Sequence, residues 1–174
     1  MIIFDLDGTL ANCNHRRHFV DPEKCGDSIR KILKPDGTYK YKHYNGESWK
    51  PDWKAFFEAC DKDEPIKPVI ENYRAQIFHG KEVCIWSGRC ESVREKTLRW
   101  LHNNSVGTSH IKELKMRPIG DHTPDDELKE RWLKEALAEG KTIEYVFDDR
   151  PKVVRVWRKH GIFVFNCCQH EEEF

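Results

Sequence analysis

The run MIIFDLDGTL places two carboxylates, Asp5 and Asp7, directly after Ile2, Ile3 and Phe4 and directly before Gly8 and Thr9. Two acids at the end of a buried strand repel each other and lose hydration, so a turn that needed only polarity would not use both. Their types and spacing suit work on a phosphoryl group. Asp5 can act as a carboxylate nucleophile that forms an aspartyl-phosphate. Asp7, which either points to the opposite pleat or bends away with the turn, can protonate the leaving oxygen and later activate water. Two further apolar runs end in chemistry: EVCIW (82–86) in Ser87-Gly88-Arg89, and IEYVF (143–147) in Asp148-Asp149-Arg150. The hydroxyls of Thr9 and Ser87 can hold phosphoryl oxygens, and Gly8 and Gly88 let backbone come close. If these ends converge, four carboxylates share one edge and need a counter-charge. A hard divalent cation such as Mg2+ supplies it, taking carboxylates, waters and substrate phosphate as ligands.

A phosphoryl group also calls for fixed cations. Lys129 stands three residues before Trp132 and four before Leu133. That puts it on the buried side of its helix, where a lysine needs an anion. The plainer alternative is an i, i+4 pair with Asp125. Lys115 competes but falls in a less regular stretch. Arg89 and Arg117 can each grip a phosphate with a planar fork, against the surface role that is the default for arginine.

The elements that must position these groups alternate from residue 65 onward. The pattern predicts a helix over 65–78 closed by Gly80, a strand over 82–86, and a helix over 91–103 with Val93, Thr97, Trp100 and Leu101 on one face. Pro124 opens a further helix with Thr123 as its N-cap, ending near Gly140. A strand over 143–147, a helix over 152–160 on Val153, Val154 and Trp157, and a strand over 162–165 complete the series. Near-continuous apolar strands alternating with helices predict an α/β fold, with an open parallel sheet covered on both faces. In such a sheet the carboxyl ends of the strands share the edge at which ligands bind.

Residues 14–64 break this repeat. They hold HRRH (15–18), the turn-rich PDGTYKYKHYNGES and the helical WKPDWKAFFEAC. We read one domain over 1–174 with 14–64 as an insertion, either a cap that recognises substrate or an extra lobe on one edge. HRRH suits a nucleic-acid backbone or a solvated basic turn. Tyr39, Tyr41, Tyr44, Trp49 and Trp53 suit base stacking or a local core.

Thirty basic and thirty acidic residues cancel, which argues against a general polyanion clamp. Six Trp and nine Phe argue for a globular chain. No apolar run approaches about 18 residues and the start lacks a charged-then-apolar leader, so neither a membrane span nor a secretory signal is expected. Seven cysteines without a CxxC pair read as reduced thiols of a cytosolic protein. The tail HEEEF reads as a frayed acidic end.

In this order, the motifs resemble those of the haloacid dehalogenase (HAD) superfamily: DLDGT (5–9) its first, Ser87 its second, Lys129 its third and Asp148-Asp149 its fourth. WSGR (86–89), RPIGDHTPDDELK (117–129) and FDDRPKVVRVWRKHGI (147–162) resemble the 3′-phosphatase domains of bacteriophage polynucleotide kinase/phosphatases. The resemblance covers the first dozen residues and most of 83–165. It implies a three-layer, Rossmann-like parallel sheet of the HAD type with a small cap-like insertion after the first strand. Residues and resemblance together nominate Asp5 and Asp7 for catalysis. They nominate Thr9, Ser87, Gly88, Arg89, Arg117 and Lys129 for phosphate binding, and Asp5, Asp7, Asp148 and Asp149 for Mg2+. The implied activity is removal of a 3′-phosphate from nucleic-acid ends. A 5′- or 3′-nucleotidase acting on free mononucleotides is the alternative. A catalytically silent binding domain is a third reading, which the intact Asp5, Asp7, Lys129 and Asp148 oppose. No GxxxxGK[ST] occurs, so no kinase half is expected. The expected partner is a nucleic-acid 3′ end or a nucleotide, with no membrane and no obligate protein partner. The implied setting is cytoplasmic repair, in a bacterial host if phage-encoded.

Overall fold

A computed structural model describes residues 1–168; the acidic tail HEEEF lies outside the described residues. Along the chain run β1 (Ile2–Phe4), β2 (Ala11–Asn12), β3 (Ile29–Leu33), β4 (Tyr39–His43), α1 (Trp53–Glu58), β5 (Glu64–Pro65), α2 (Lys67–Phe78), β6 (Val83–Cys90), α3 (Arg94–Asn103), β7 (Ile111–Arg117), α4 (Asp125–Ala138), β8 (Tyr145–Asp148), α5 (Pro151–Lys159) and β9 (Phe163–Asn166). They fall into two compact units, one of Met1–Asn12 with the chain from Glu64 onward, the other Cys13–Asp63.

In the first unit β1 is the middle strand of a five-stranded sheet ordered β7-β6-β1-β8-β9, with every neighbour parallel. Side chains of a strand alternate between faces, and the three residues of β1 divide accordingly. Ile2 and Phe4 pack with Ile70 and Tyr73 of α2 and with Trp100 and Leu101 of α3. Ile3 packs on the opposite side with Leu128, Trp132 and Leu133 of α4 and with Val153, Val154 and Trp157 of α5. Two helices thus cover each face, which explains why the inner strands are apolar at nearly every position. The result is a three-layer α/β fold. On the first face Phe4 and Phe147 stack with centroids 4.4 Å apart, and Phe147 stacks on Phe165 at 4.7 Å.

Two expectations need correction. Thr123 does not cap α4. The N-cap is Pro124, in extended backbone and without a side-chain cap bond, while the Thr123 amide donates to Asp121 Oδ1 at 2.8 Å. The edge strand β7, IKELKMR, was read as irregular. From Glu113 onward it alternates polar and apolar residues, as a strand at the edge of a sheet allows.

The second unit contains a hairpin of β3 and β4, closed by residues 34–38, and the short helix α1. HRRH lies in a 3-10 turn spanning Asn14–Phe19. Its Arg16 is fully buried and donates from Nε and Nη2 to the two oxygens of Asp63, both at 2.7 Å. A third bond runs from Nη1 to the Phe56 carbonyl, and the guanidinium lies 4.1 Å from the Phe56 ring centroid. His15 also meets Asp63 at 2.9 Å. Arg16 therefore organises a small core and is not a surface hand for nucleic acid. Among the described residues no cysteine forms a disulfide, and no helix is long and apolar enough to cross a membrane.

Candidate active site

Parallel register brings the strand ends together. Phe4 lies beside Ile85 on one side and Phe147 on the other, so Asp5, Trp86 and Asp148 follow side by side. The Asp5 amide donates to the Phe147 carbonyl at 2.9 Å, which locks that alignment. Asp5 shares the face of Ile3, two residues earlier, and this is the face that α4 covers. There the Lys129 ammonium donates to Asp5 Oδ1 at 2.8 Å and to Asp148 Oδ2 at 2.9 Å, with its side chain 1% exposed. Lys129 therefore turns inward as the helix face required.

Asp148 is fully buried and accepts three bonds: from Lys129, from the Trp157 indole at 3.1 Å, and from the Arg150 amide at 3.2 Å. Asp149 accepts from the Thr9 hydroxyl at 3.2 Å. It also lies against Gly8, whose φ is +89° and on which a Cβ would sit 2.0 Å from Asp149 Oδ2. Asp5, Asp148 and Asp149 each offer an oxygen within 4.8 Å of the others. Asp7 stands apart. Residues two apart on a strand would share a face, but the strand has ended and Asp7 bends away. Its Oδ1 accepts from Arg89 Nε at 2.8 Å and Nη2 at 2.5 Å. Among the described residues its side chain is not one of the three converging carboxylates, contrary to the expectation of four metal-directed acids.

The electrostatics expose a deficit of positive charge. Burial pushes the Asp5 carboxyl well above its usual range; Lys129 pulls it back, and Asp148 and Asp149 push it up again. Burial and Asp148 raise Asp149 to about 6, against the pull of Lys129 and Arg150. Burial disfavours the Lys129 ammonium, but Asp148 and Asp5 outweigh it and hold the lysine protonated. One ammonium among three buried carboxylates leaves the centre short of positive charge. An all-oxygen donor set of this kind fits Mg2+.

The other nominated residues take these places. Ser87 is fully buried and its Oγ accepts from the Arg89 amide at 3.2 Å. Arg89 is fully buried on Asp7, with Nη1 3.5 Å from Thr97 Oγ1. Arg117 was read as a phosphate fork, but its guanidinium is spent on scaffolding. It donates to Gly88 O at 2.9 Å, Thr123 O at 2.5 Å and Asp125 Oδ1 at 2.8 Å. Sequence reasoning missed Asp125 except as a helical partner of Lys129. The carboxylate sits between Arg117 and Arg150, the latter at 2.9 Å, and a Cβ on Gly88 would lie 2.3 Å from its Oδ1. Burial opposes the charge on Asp125, but Arg150, Lys129 and Arg117 together hold its carboxyl below the usual range. The available signal was an acid in the first turn of a helix, with arginines following two of the strands.

Residues 31–172 match the family model of the polynucleotide kinase PNKP phosphatase domain. A protein of Autographa californica nuclear polyhedrosis virus, named a bifunctional polynucleotide kinase/RNA ligase, is 33% identical over 97 residues, 55% of this chain and 14% of the viral protein. The structure of the Pnkp1/Rnl/Hen1 RNA repair complex superposes with a TM-score of 0.68 at 24% identity, over 98% of this chain and 43% of that one. CbbY from Rhodobacter sphaeroides, solved with phosphate, gives 0.56 at 14% identity, over 98% and 88%. This chain thus spans less than half the length of the first two. With the HAD-type sheet and its acidic strand ends, the match over most of the chain means that it belongs to the polynucleotide kinase phosphatase-domain family of phosphoric monoester hydrolases.

Proposed function

We propose that the chain is a magnesium-dependent phosphomonoesterase that removes a 3′-phosphate from nucleic-acid ends. The observation that carries this reading is the split between its carboxylates. Asp5 lies with Asp148 and Asp149 around Lys129, whereas Asp7 is held separately by Arg89. Two acids in different environments can take different roles.

Asp5 attacks the phosphorus opposite the 3′ oxygen, forming an Asp5 O–P bond as the P–O3′ bond breaks. Asp7 gives its proton to the leaving 3′ oxygen. It then takes a proton from water, whose oxygen attacks phosphorus and releases inorganic phosphate and Asp5. Arg89 fixes the direction of Asp7. Lys129 bridges Asp5 and Asp148 and, with the Ser87 hydroxyl and the Gly88 backbone, faces the phosphoryl oxygens. Mg2+ held by Asp5, Asp148 and Asp149 would neutralise charge on the transferred group. Arg117 and Asp125 brace the Gly88 turn. The Cys13–Asp63 unit is the substrate-recognition element, entering and leaving through the β2–β5 pair. The viral relative's name, joining polynucleotide kinase with RNA ligase, favours RNA ends.

The test is phosphate release with magnesium from a 3′-phosphorylated RNA oligonucleotide and from 3′- and 5′-mononucleotides. A tenfold preference for the oligonucleotide, about 1.4 kcal/mol, is expected; the reverse preference would make the enzyme a nucleotidase. Asp5→Asn should lower turnover by about three orders of magnitude or more while the protein stays folded.

A further inference from the structure

The β3–β4 hairpin has two unlike faces. Register pairs Lys31 with Tyr41 on one and Arg30 with Lys42 and Ile32 with Lys40 on the other. The first face is tied down: Glu23 accepts from Lys31 at 2.7 Å and also from the Tyr41 hydroxyl. The second carries Arg30, Lys40 and Lys42. None of these has a carboxylate within 4 Å among the described residues. Residues 29–43 hold five basic side chains against one acidic, in a chain whose charges cancel overall. Arg30 and Lys42 stand directly opposite each other, an arrangement that destabilises a strand pair. A ligand that supplies negative charge reverses that cost.

We infer that this face binds the sugar-phosphate backbone of a single-stranded polynucleotide, and so gives the enzyme its hold on a strand rather than on a mononucleotide. Lys40 and Lys42 are about 6.8 Å apart along β4, a spacing that a polyanion with regularly repeated phosphates can meet. Beside them Tyr44 is 62% exposed, with the Arg30 guanidinium 5.3 Å from its ring centroid. An exposed ring next to unpaired cations is the pairing that holds unstacked bases, which a duplex does not present.

This inference rests on the polynucleotide reading of the substrate, and the test keeps the two separate. The probe is a fluorescent 12-nucleotide RNA ending in a 3′-hydroxyl, so binding is measured without hydrolysis. The Arg30→Gln/Lys40→Gln/Lys42→Gln variant should weaken binding by about tenfold or more and lower the salt slope by about 2 to 3. A control variant with Lys24, Lys50 and Lys54 changed to Gln removes the same charge from exposed positions of the same unit, and it should bind within about twofold of wild type. Aryl phosphate hydrolysis should be unchanged in both. Equal loss in both variants, no loss in either, or no RNA binding by the wild type would overturn the inference; the last would leave an acidic protein as the occupant. An enzyme that hydrolyses 3′-phosphorylated RNA but ignores the hairpin change loses this inference alone. One that binds RNA through the hairpin without removing a 3′-phosphate loses the catalytic reading alone.

Discussion

Lys129 has one side-chain amine and three buried acids around it, and that ratio governs the chemistry of the centre. In an unfolded chain Asp149 would lose its proton near 3.8; folded, it holds the proton up to about 6. Between those values the folded state binds more protons, so without metal the protein loses stability as pH rises from about 4 to about 6. Asp5 is shifted in the same direction. Carboxyls held below their usual range, such as Glu130 at about 2 beside His160 and Lys159, work the other way and lose their contribution only in more acidic solution. A bound cation must displace the retained protons. The rise in Tm on adding magnesium should therefore be larger at pH 7.5 than at pH 5. A rise independent of pH would remove the buried carboxylates as its origin. Lys129 was legible because helical periodicity alone turned it inward. Arg117 and Arg89 were not, since sequence does not say whether a guanidinium meets ligand or scaffold.

At the scale of elements, the site depends on two turns with no room for a side chain. Gly8 has φ of +89° and faces the Asp149 carboxylate. A methyl group there meets both backbone strain and a collision with a buried acid. Gly8→Ala should lower activity by about a hundredfold and reduce the magnesium-dependent rise in Tm, measured by thermal melts with and without the ion. Retention of both would show that the turn is free to adjust. The strand–helix alternation that builds these turns was readable because buried parallel strands are continuous apolar runs. β7 escaped because IKELKMR mixes polar and apolar residues, as an edge strand allows. The hairpin escaped because its residues were read only as turns, although Asp36-Gly37 between strand-forming runs is a recognised hairpin signal.

For the whole molecule, Cys13–Asp63 is a unit with its own buried ion pair. The Asp52 amide donates to the Phe19 carbonyl at 2.8 Å, so residues 19 and 52 are already adjacent. Excising 20–50 with a short Gly-Ser joint should keep the Arg16–Asp63–Phe56 core. The shortened enzyme should keep aryl phosphate hydrolysis within about threefold and lose about tenfold or more on an oligonucleotide. Equal loss on both would make the segment structural. Breaking the core with Arg16→Ala should instead cost about 3–5 kcal/mol within this unit, because it strands the Asp63 carboxylate. Hydrogen exchange would place the loss at residues 13–63. Sequence set HRRH between two surface roles because a basic run gives no sign of a distant acid folding onto it.

Trp157 links the buried carboxylates to light. Its indole N–H is bonded to Asp148, and its ring lies 6.0 Å from Trp86, which lies 6.1 Å from Trp132. A change of charge at Asp148 alters the field across a cluster of three fluorophores. Magnesium titration should therefore change the intrinsic emission of the unlabelled enzyme, and Trp157→Phe should abolish most of that change. The buried hydrogen bond that holds the acid in place also makes the enzyme its own spectroscopic gauge.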